Sequence, residues 1–209
     1  MHEEFDRNYG SKLLQTHLNI LLSKKEQFVG NKTLNCALRL VASAMKFAKW
    51  RKLCMPHIQT ILYDLTLPLL LMTQYEGHAW QSDPIEYVRL QVDNSNSWNV
   101  KRTNEDMIKG ICNIRQNRKN KISPHLQSYL SLLVDQMQNQ NGDDPRPKEA
   151  LMHAFGLLST HMAQTPEYQK HAEQMLITYV QPELASASPF IRARACWVYG
   201  EFGIFPFES

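Results

Sequence analysis

Hydrophobic positions recur at helical spacing along most of the chain. In the first such segment the apolar stripe is Leu14, Leu18, Leu21 and Leu22. Comparable stripes follow at 34–48, 58–65, 107–112, 126–137, 151–158, 168–180 and 191–202. No segment shows the strict alternation of apolar and polar residues that is typical of a strand. The pattern therefore predicts an all-α protein whose helices each bury one face.

A polar residue followed by proline recurs between these stripes. Four such pairs are Asp83-Pro84, Ser123-Pro124, Thr165-Pro166 and Ser188-Pro189. A side-chain oxygen at such a position can accept a hydrogen bond from an amide of the first helical turn, and proline has no amide hydrogen to leave unpaired there. We therefore expect each pair to begin a helix. Glu86 follows Asp83 by three positions, which is the spacing of a capping box.

Short loops and helix pairs about forty residues apart are typical of HEAT and armadillo repeats. The predicted fold is an α-α superhelix, a right-handed solenoid of HEAT/armadillo-like helical hairpins, in which residues 1–209 form a single segment of about four to five repeats. The expected helix pairs are 9–50, 56–92, 103–138, 147–184 and, in part, 188–209. Pro68 should kink or end its helix. Because the repeats are only weakly similar to one another, periodicity alone leaves a compact helical bundle open.

Composition narrows the class of protein. With 209 residues, of which 43% are hydrophobic, the chain can bury a substantial core. The longest apolar run, 65–72, is far shorter than the roughly 20 residues that span a bilayer, so we expect no membrane insertion. The four cysteines form no CxxC pair, which predicts free thiols rather than a disulfide framework or a zinc site. The net charge of +3 does not by itself indicate a partner.

Motifs for covalent chemistry are not recognisable. The sequence contains no Gly-rich phosphate loop, HExxH or GxSxG motif, so we expect neither an enzyme nor a metal or cofactor site. The stretch WQSDPIEYVR (80–89) holds two carboxylates, but both stand at one helix tip and are better explained as caps than as an acid/base pair. The basic run RQNRKNK (115–121) has no interleaved aromatic residue, so we expect a solvated helix end or loop there.

Three segments resemble the importin-β superfamily of karyopherins, in particular importins seven and eight and their fungal relatives. They are PHIQTILYDLTLPLLLMT with WQSDPIEYVR, DDPRPKEALMHAFGLLS, and IRARACWVYGEFG. Together they cover roughly 53–207, whereas the first fifty residues agree only in helical pattern. The stretch 94–121 shows little of the family's local sequence, and Pro147 stands where a lysine is more usual. Because the chain is far shorter than a complete receptor, the resemblance implies an internal portion of one.

Candidate contacts between repeats follow from this resemblance, because HEAT arrays commonly carry a ladder of acidic and arginine side chains. Arg192 and Arg194 lie on different helix faces, about 200° apart, so either can be the ladder residue. Phosphate binding is the alternative for these arginines. Arg89 can pair with a neighbouring repeat or lie in solvent. The candidates for packing or pairing between repeats are Trp80, Tyr87, Arg89, Arg192, Arg194, Cys196 and Trp197.

The resemblance implies a nuclear transport receptor located in the cytoplasm, in the nucleus and at the nuclear pore. Such a receptor binds protein cargo, for example basic cargo such as ribosomal proteins or histones, contacts Phe-Gly nucleoporins, and releases cargo when Ran·GTP binds. The Ran-binding region is expected to lie outside this chain. Two alternatives stay open: a HEAT-repeat scaffold or adaptor for a fixed protein complex without Ran regulation, and a basic nucleic-acid-binding helical repeat. The sequence assigns no cargo-binding residue.

Overall fold

The computed structural model describes residues 9–25, 28–92, 99–114, 123–140, 142, 144–164 and 166–205. Within these ranges the chain forms helices and short connections, and no strand is present. The predicted all-α fold is therefore confirmed. None of the helices in the described ranges combines the length and the apolar character needed to cross a membrane.

The first half of the chain contains regular helices and one composite helix. The regular ones are α1 (Ser11–Leu22), α2 (Asn31–Met45) and α3 (Ala48–Cys54). The composite helix α4 joins a 3-10 turn (Met55–His57), an α-helical turn (Ile58–Thr60), a π-helical segment (Ile61–Thr66) and a second 3-10 turn (Pro68–Leu70). Next come α5 (Gln74–Ser82), α6 (Pro84–Val92) and α7 (Val100–Cys112).

The second half of the chain also contains regular helices and one composite helix. It contains α8 (Pro124–Gln138), α9 (Pro145–Leu157), the short α10 (Ser159–Ala163), the composite α11 and α12 (Pro189–Phe202). Helix α11 joins an α-helical part (Pro166–Met175), a π-helical segment (Leu176–Val180) and a 3-10 turn (Gln181–Ala185). Both composite helices thus pass through a π-helical segment into a proline-containing 3-10 turn, Pro68 in α4 and Pro182 in α11.

The helices pack in two rows. In row A, α1 contacts α4 and α4 contacts α8, and Gln138 Nε2 of α8 donates a hydrogen bond to Tyr179 Oη of α11 (2.9 Å). In row B, α2 packs on α7, α7 on α9 and α9 on α12. The rows are joined by contacts of α1 with α2, α4 with α7, α8 with α9 and α11 with α12. This stack is the predicted helical-repeat architecture. The division into four to five repeats at the predicted boundaries stays a prediction.

The predicted apolar stripes form one continuous core between the two rows. Leu18 of α1, Leu38 of α2 and Ile108 of α7 are fully buried, and Phe155 and Phe202 stack on each other with their ring centroids 4.7 Å apart. Burying a side chain of this size contributes about 1.5–3 kcal/mol relative to leaving it exposed. The rows are therefore held together mainly by apolar packing.

Pro68 changes the helix geometry around it, as its position in α4 predicts. Leu70 N donates to Leu67 O (3.0 Å), which closes a 3-10 turn instead of continuing the α-helical pattern. The buried Thr66 carbonyl accepts a hydrogen bond from Asn104 Nδ2 of α7 (2.8 Å). A buried carbonyl left unpaired would cost about 1–3 kcal/mol. The bond from Asn104 therefore satisfies the backbone of α4 and joins α4 to α7.

Close packing of α9 on α12 depends on Gly156. The Trp197 ring lies directly on this glycine, and a methyl group there would overlap the ring atoms Cζ3 and Cη2. At Gly110 in α7, by contrast, a methyl group would meet nothing within 4 Å. Gly156 thus leaves room for an aromatic side chain of the next helix, whereas Gly110 does not serve packing in this way.

We expect Gly156→Ala to lower the free energy of unfolding by about 1–3 kcal/mol, because the new methyl group overpacks the contact with Trp197. Gly110→Ala is the matched control and should raise that free energy by about 0.5–1 kcal/mol, since alanine favours the helix. Urea unfolding followed by circular dichroism measures both. In a Trp197→Leu background, Gly156→Ala should lower the free energy of unfolding by a smaller amount. Equal stabilisation by the two substitutions would show that the ring moves aside without cost.

Candidate functional site

The strongest polar contact between helices joins α9 to α12. Glu149 Oε1 accepts a hydrogen bond from Arg194 Nε (2.6 Å), and Arg194 Nη2 also lies 2.6 Å from this oxygen. The side chains of Glu149 and Arg194 are only 2% and 9% exposed. A buried carboxylate is tolerated when a cation and further hydrogen bonds compensate its lost hydration. Arg194, one of the two predicted ladder candidates, therefore lies where it pairs with the preceding row B helix.

A second contact joins α7 to α9. His153 Nε2 lies 3.2 Å from Glu105 Oε1, and the histidine side chain is almost completely buried. Burial, with a smaller effect from Arg194, holds the pKa of His153 well below its ordinary value, so the ring is neutral at pH 7 and its contact with the carboxylate is not an ion pair. Burial also raises the pKa of Glu105, although nearby Arg102 opposes this shift.

A third contact ties the α5–α6 hairpin to row B. Lys101 Nζ of α7 lies 2.7 Å from Glu76 Oε1 of α5, and both side chains are largely buried. The other oxygen of Glu76 accepts from the Thr73 amide (2.7 Å), while the Glu76 amide donates to Thr73 Oγ1 (3.1 Å). Glu76 thus completes a capping box and also links α5 to α7.

We call the six side chains of these three contacts the polar ladder. They are Glu76, Lys101, Glu105, His153, Glu149 and Arg194. The ladder links α5, α7, α9 and α12 in succession. Glu149 and His153 could have been noticed in the sequence, because they are polar residues four positions apart in a helix that is otherwise almost entirely apolar from 149 to 157.

Aromatic side chains of the α5–α6 hairpin extend this network to α12. Tyr87 is buried, and the charges of Glu149 and Arg194 both act on its hydroxyl group. Burial, reinforced by the charge of Glu149, raises the pKa of Tyr87 to about 12. Trp80 packs edge-on against Tyr87 with ring centroids 5.1 Å apart, and against Phe190 of α12 at 6.4 Å. The hairpin therefore contacts a helix that lies two row B positions beyond α7.

Trp197 lies within the same region. Its ring contacts His153 edge-on with centroids 5.2 Å apart, and the Arg194 guanidinium carbon lies 4.7 Å from the ring centroid. Contacts of this second kind contribute about 0.5–2 kcal/mol. Trp80, Tyr87, Arg194 and Trp197, four of the candidates for packing between repeats, are thus brought together around one end of α12.

The other three candidates lie elsewhere. Arg89 pairs with Glu86 of its own helix (3.0 Å) and is 77% exposed. It therefore lies in solvent and does not pair with a neighbouring repeat. Arg192 Nη1 donates to the carbonyls of Ser186 (2.6 Å) and Ala187 (3.2 Å), and thus holds the connection before α12 rather than a neighbouring repeat. Cys196 is exposed, so its packing between repeats stays a prediction. The next residue after buried Ala195 is rotated by about 100°, toward solvent.

Asp83 caps α6, but the predicted capping box is not formed there. Asp83 Oδ1 accepts from the amides of Ile85 (3.1 Å) and Glu86 (3.0 Å), and Pro84 begins the helix. The Asp83 amide already donates to Ala79 O (2.8 Å), so it is not free for the Glu86 carboxylate. That carboxylate pairs with Arg89 instead.

The serine caps differ from the expectation. Ser123 and Ser188 occupy the N-cap positions of α8 and α12, ahead of Pro124 and Pro189, but neither side chain bonds an amide of the helix. Ser123 Oγ donates to Ile114 O (2.7 Å), because the preceding helix end offers a carbonyl within reach. Pro166 begins α11, while Thr165 and the basic run at 115–121 lie outside the described residues.

Two caps were not predicted: Asn99 has no following proline, whereas Asp144 precedes Pro145 in the same arrangement as Asp83-Pro84. Asn99 Oδ1 accepts from the Arg102 amide (3.1 Å) at the start of α7. Asp144 Oδ1 accepts from the Arg146 amide (3.0 Å) at the start of α9, and the Arg146 guanidinium lowers the pKa of that carboxyl group. Both are residue types favoured at N-caps.

An apolar groove of about 530 Å³ runs between α8 and α11. We call it the row A groove. Its lining combines aliphatic, aromatic and polar side chains: Gln127, Leu130, Ser131, Val134, Asp135, Met162, Tyr168, His171, Gln174, Met175, Thr178 and Tyr179. Ligand pockets commonly have volumes of roughly 300–1,000 Å³ and an apolar lining with a few polar groups. This groove has both properties.

Metal-binding groups are not clustered in the part of the chain that the structure describes. All four cysteines are free thiols there. Cys54 and Cys112 are buried, which raises the pKa of each thiol, whereas Cys36 and Cys196 are exposed. The geometry thus offers polar contacts between helices and an apolar groove as its main candidate features.

Comparison with known proteins confirms the resemblance to importins. The chain is 26% identical to an importin beta-like SAD2 homolog of Arabidopsis thaliana over 98% of its length, and 27% identical to importin-8 of Danio rerio over 98%. It is 24% identical to human importin-8 over 99%. The similarity therefore includes the first fifty residues. The chain spans 20%, 19% and 19% of these three relatives, or about a fifth of their length. No family model and no solved structure matches the chain.

We expect Arg194→Ala to lower the free energy of unfolding by about 3–5 kcal/mol, because it leaves Glu149 buried without its cation. Arg89→Ala is the control, since it removes an exposed arginine that also pairs with a glutamate, and should cost at most about 1 kcal/mol. Chemical unfolding measures both losses. Replacing Glu149 and Arg194 together by leucine and methionine should restore most of the stability. Similar small losses for both arginines would contradict a structural role for the buried pair.

Proposed function

We propose that this chain is an internal portion of a nuclear import receptor of the importin seven/eight type. The observation that carries the proposal is the similarity to importin proteins over nearly the whole chain. The two-row stack of helices supports it, because such an array offers an extended surface for protein partners. The proposed role is binding and release, and it requires no covalent chemistry.

We further propose a repeat division that follows the helix contacts. The pairs are α1 with α2, α4 with α7, α8 with α9, and α11 with α12, and the α5–α6 hairpin is an insertion between α4 and α7. This division differs from pairs that follow chain order alone, such as 56–92, because α4 contacts α7 across the inserted hairpin. The polar ladder would then set the spacing of consecutive row B helices, and with it the shape of the surface presented to cargo.

Cargo release is proposed to follow from linkage between two ligands. If Ran·GTP and protein cargo favour different curvatures of the array, each must weaken the binding of the other by the same factor. The Ran-binding region is proposed to lie outside this chain, and the cargo is proposed to include basic proteins. The receptor would then move between cytoplasm and nucleus through the pore.

The row A groove is proposed to receive phenylalanine side chains of Phe-Gly nucleoporins. Buried Leu130, Tyr168 and Met175 contribute its apolar surface, and Val134 is partly exposed in its lining. A groove that admits one apolar side chain at a time gives weak contacts. Weak, repeated contacts suit passage through a pore, because binding must also be readily reversed.

The nucleotide dependence of Ran binding tests the receptor proposal. We expect the whole protein that contains this chain to be retained by immobilised Ran loaded with a non-hydrolysable GTP analogue and to pass over Ran loaded with GDP. Bound cargo should be released in the first case only. Equal binding to both forms, or cargo binding that neither form changes, would contradict a Ran-regulated receptor and favour the fixed scaffold.

A substitution in the row A groove tests nucleoporin binding. We expect Val134→Asp to weaken binding of a Phe-Gly repeat peptide at least about tenfold, because a carboxylate in the groove opposes burial of an apolar ring. Ile177→Asp is the matched control: it introduces the same charge at a position on α11 that is 48% exposed and outside the groove lining. Fluorescence anisotropy measures both affinities. Equal effects of the two substitutions would exclude the groove.

A further inference from the structure

The joint between α7 and α9 is packed less closely than the row B joints on either side of it. The backbones of α2 and α7 run close together over much of their length, and so do those of α9 and α12, whereas α7 and α9 approach each other closely at only a few positions. We call the boundary between the α4–α7 pair and the α8–α9 pair the central joint. Packed helices lie on both sides of it, so its packing is set by residues within this chain.

Polar contacts across the central joint are also weaker than those across the next joint. Between α9 and α12 a guanidinium meets a buried carboxylate. Across the central joint, neutral His153 lies 3.2 Å from Glu105, and the hydroxyl oxygens of Thr66 and Tyr129 lie 3.3 Å apart. Two opposite charges in a buried site attract each other more strongly than two groups of which one is neutral. The central joint therefore resists a change of angle less than the joint between α9 and α12.

A groove at the central joint reduces its packing further. The groove has a volume of about 230 Å³ and lies between α4 on one side and α8 and α9 on the other. Tyr63 and Leu67 line it from α4, Leu132 from α8, and Ala150 and Leu151 from α9. Protein interiors are normally packed as closely as organic crystals, and such packing transmits strain. The groove instead leaves α4 and α8 room to move relative to each other.

The α5–α6 hairpin passes over the central joint and is attached on both sides of it. On one side, Lys101 Nζ of α7 lies 2.7 Å from Glu76 Oε1 of α5. On the other side, Trp80 of α5 packs against Phe190 of α12, with the ring centroids 6.4 Å apart. None of the residues of α5, all of which the structure describes, is buried. The helix is therefore held by these separate contacts rather than by a buried apolar face.

We propose that the central joint is the hinge of this part of the array and that the α5–α6 hairpin is a strap that limits its bending. Helices α4 and α7 move as one body, and α8, α9 and α12 move as another. The apolar core deforms at the joint, because apolar packing has no preferred direction. A hinge concentrates a change of shape at a few positions, and the strap sets how far that change can go.

A partner that separates Trp80 from Phe190 releases the strap and so changes the curvature of row B. The hinge requires neither Ran nor cargo. Its failure in an experiment is therefore distinguishable from failure of the proposed receptor function, which the nucleotide dependence of Ran binding tests.

Distances between spin labels in the whole protein that contains this chain test the proposal. The spanning pair, Gln59→Cys with Ser128→Cys, places labels on α4 and α8, on opposite sides of the central joint. The control pair, Gln59→Cys with Asp106→Cys, places them on α4 and α7 of one body. All three positions are exposed. Other reactive cysteines are replaced by serine, and pulsed electron paramagnetic resonance gives the distribution of each distance.

We expect Trp80→Ala to broaden the distance distribution of the spanning pair at least about twofold, because it removes the attachment of the strap to α12. The distribution of the control pair should not change. Tyr75→Ala is the matched control for the substitution, since it removes an aromatic ring that is 71% exposed on the same helix. It should leave both distributions as they are.

A reversible clamp separates release of the strap from loss of the fold. Trp80→His with Phe190→His replaces the two rings by imidazoles, which one Zn²⁺ ion can bridge. The distribution of the spanning pair should be broad without Zn²⁺, narrow when Zn²⁺ is bound, and broad again after a chelator is added. Circular dichroism checks that the helix content stays constant throughout.

Three outcomes would overturn the proposal. The first is a spanning pair whose distance distribution Trp80→Ala leaves unchanged, since the hairpin would then limit nothing. The second is equal broadening of the control pair, because the motion would then not be confined to the central joint. The third is a spanning pair that stays broad in the histidine variant when calorimetry shows that Zn²⁺ is bound.

Discussion

A carboxylate enclosed between two packed helices is stable only if a cation meets it, and Arg194 meets Glu149 in this chain. Apolar packing alone is not directional, so it would leave the position of α12 on α9 loosely determined. One hydrogen bond and a second close contact from the same guanidinium to one carboxylate oxygen restrict that position. With α12 in this position, the Trp197 ring lies on Gly156 and Phe190 contacts Trp80 of the α5–α6 hairpin. The placement of the α5–α6 hairpin therefore depends on the same contact.

The sequence predicts the helices well because their signals are local. Apolar stripes at helical spacing and polar-proline pairs lie within a few residues of the element that they begin, so no knowledge of distant contacts is needed. Asp83 caps its helix for this reason, and Pro68 lies where the geometry of α4 changes. The resemblance to importins was also recognisable, because it depends on short motifs such as WQSDPIEYVR.

Side-chain contacts between helices that are far apart in the sequence were less predictable. Choosing between possible partners requires distances in space, which the spacing of residues along the chain does not give. Nothing local distinguishes Arg194 from Arg192, yet the first reaches Glu149 and the second bonds the connection before its own helix. A capping box at Asp83 and Glu86 has the right spacing, but the Asp83 amide is already used by α5. The real box, at Thr73 and Glu76, lacks a following proline to mark it. Hydrogen-bond competition, rather than residue type, decides these cases.

The contact between Trp80 and Phe190 joins residues far apart in a chain whose other contacts are mostly between neighbouring helices. In an ideal linear array each unit would fold and unfold with its immediate neighbours, and frayed ends would open independently of the middle. A contact that passes over α9 makes α5, α6 and α12 part of one cooperative unit. Such a contact closes a long loop, which costs more chain entropy than a contact between neighbouring helices. In return, opening α12 also requires release of the α5–α6 hairpin.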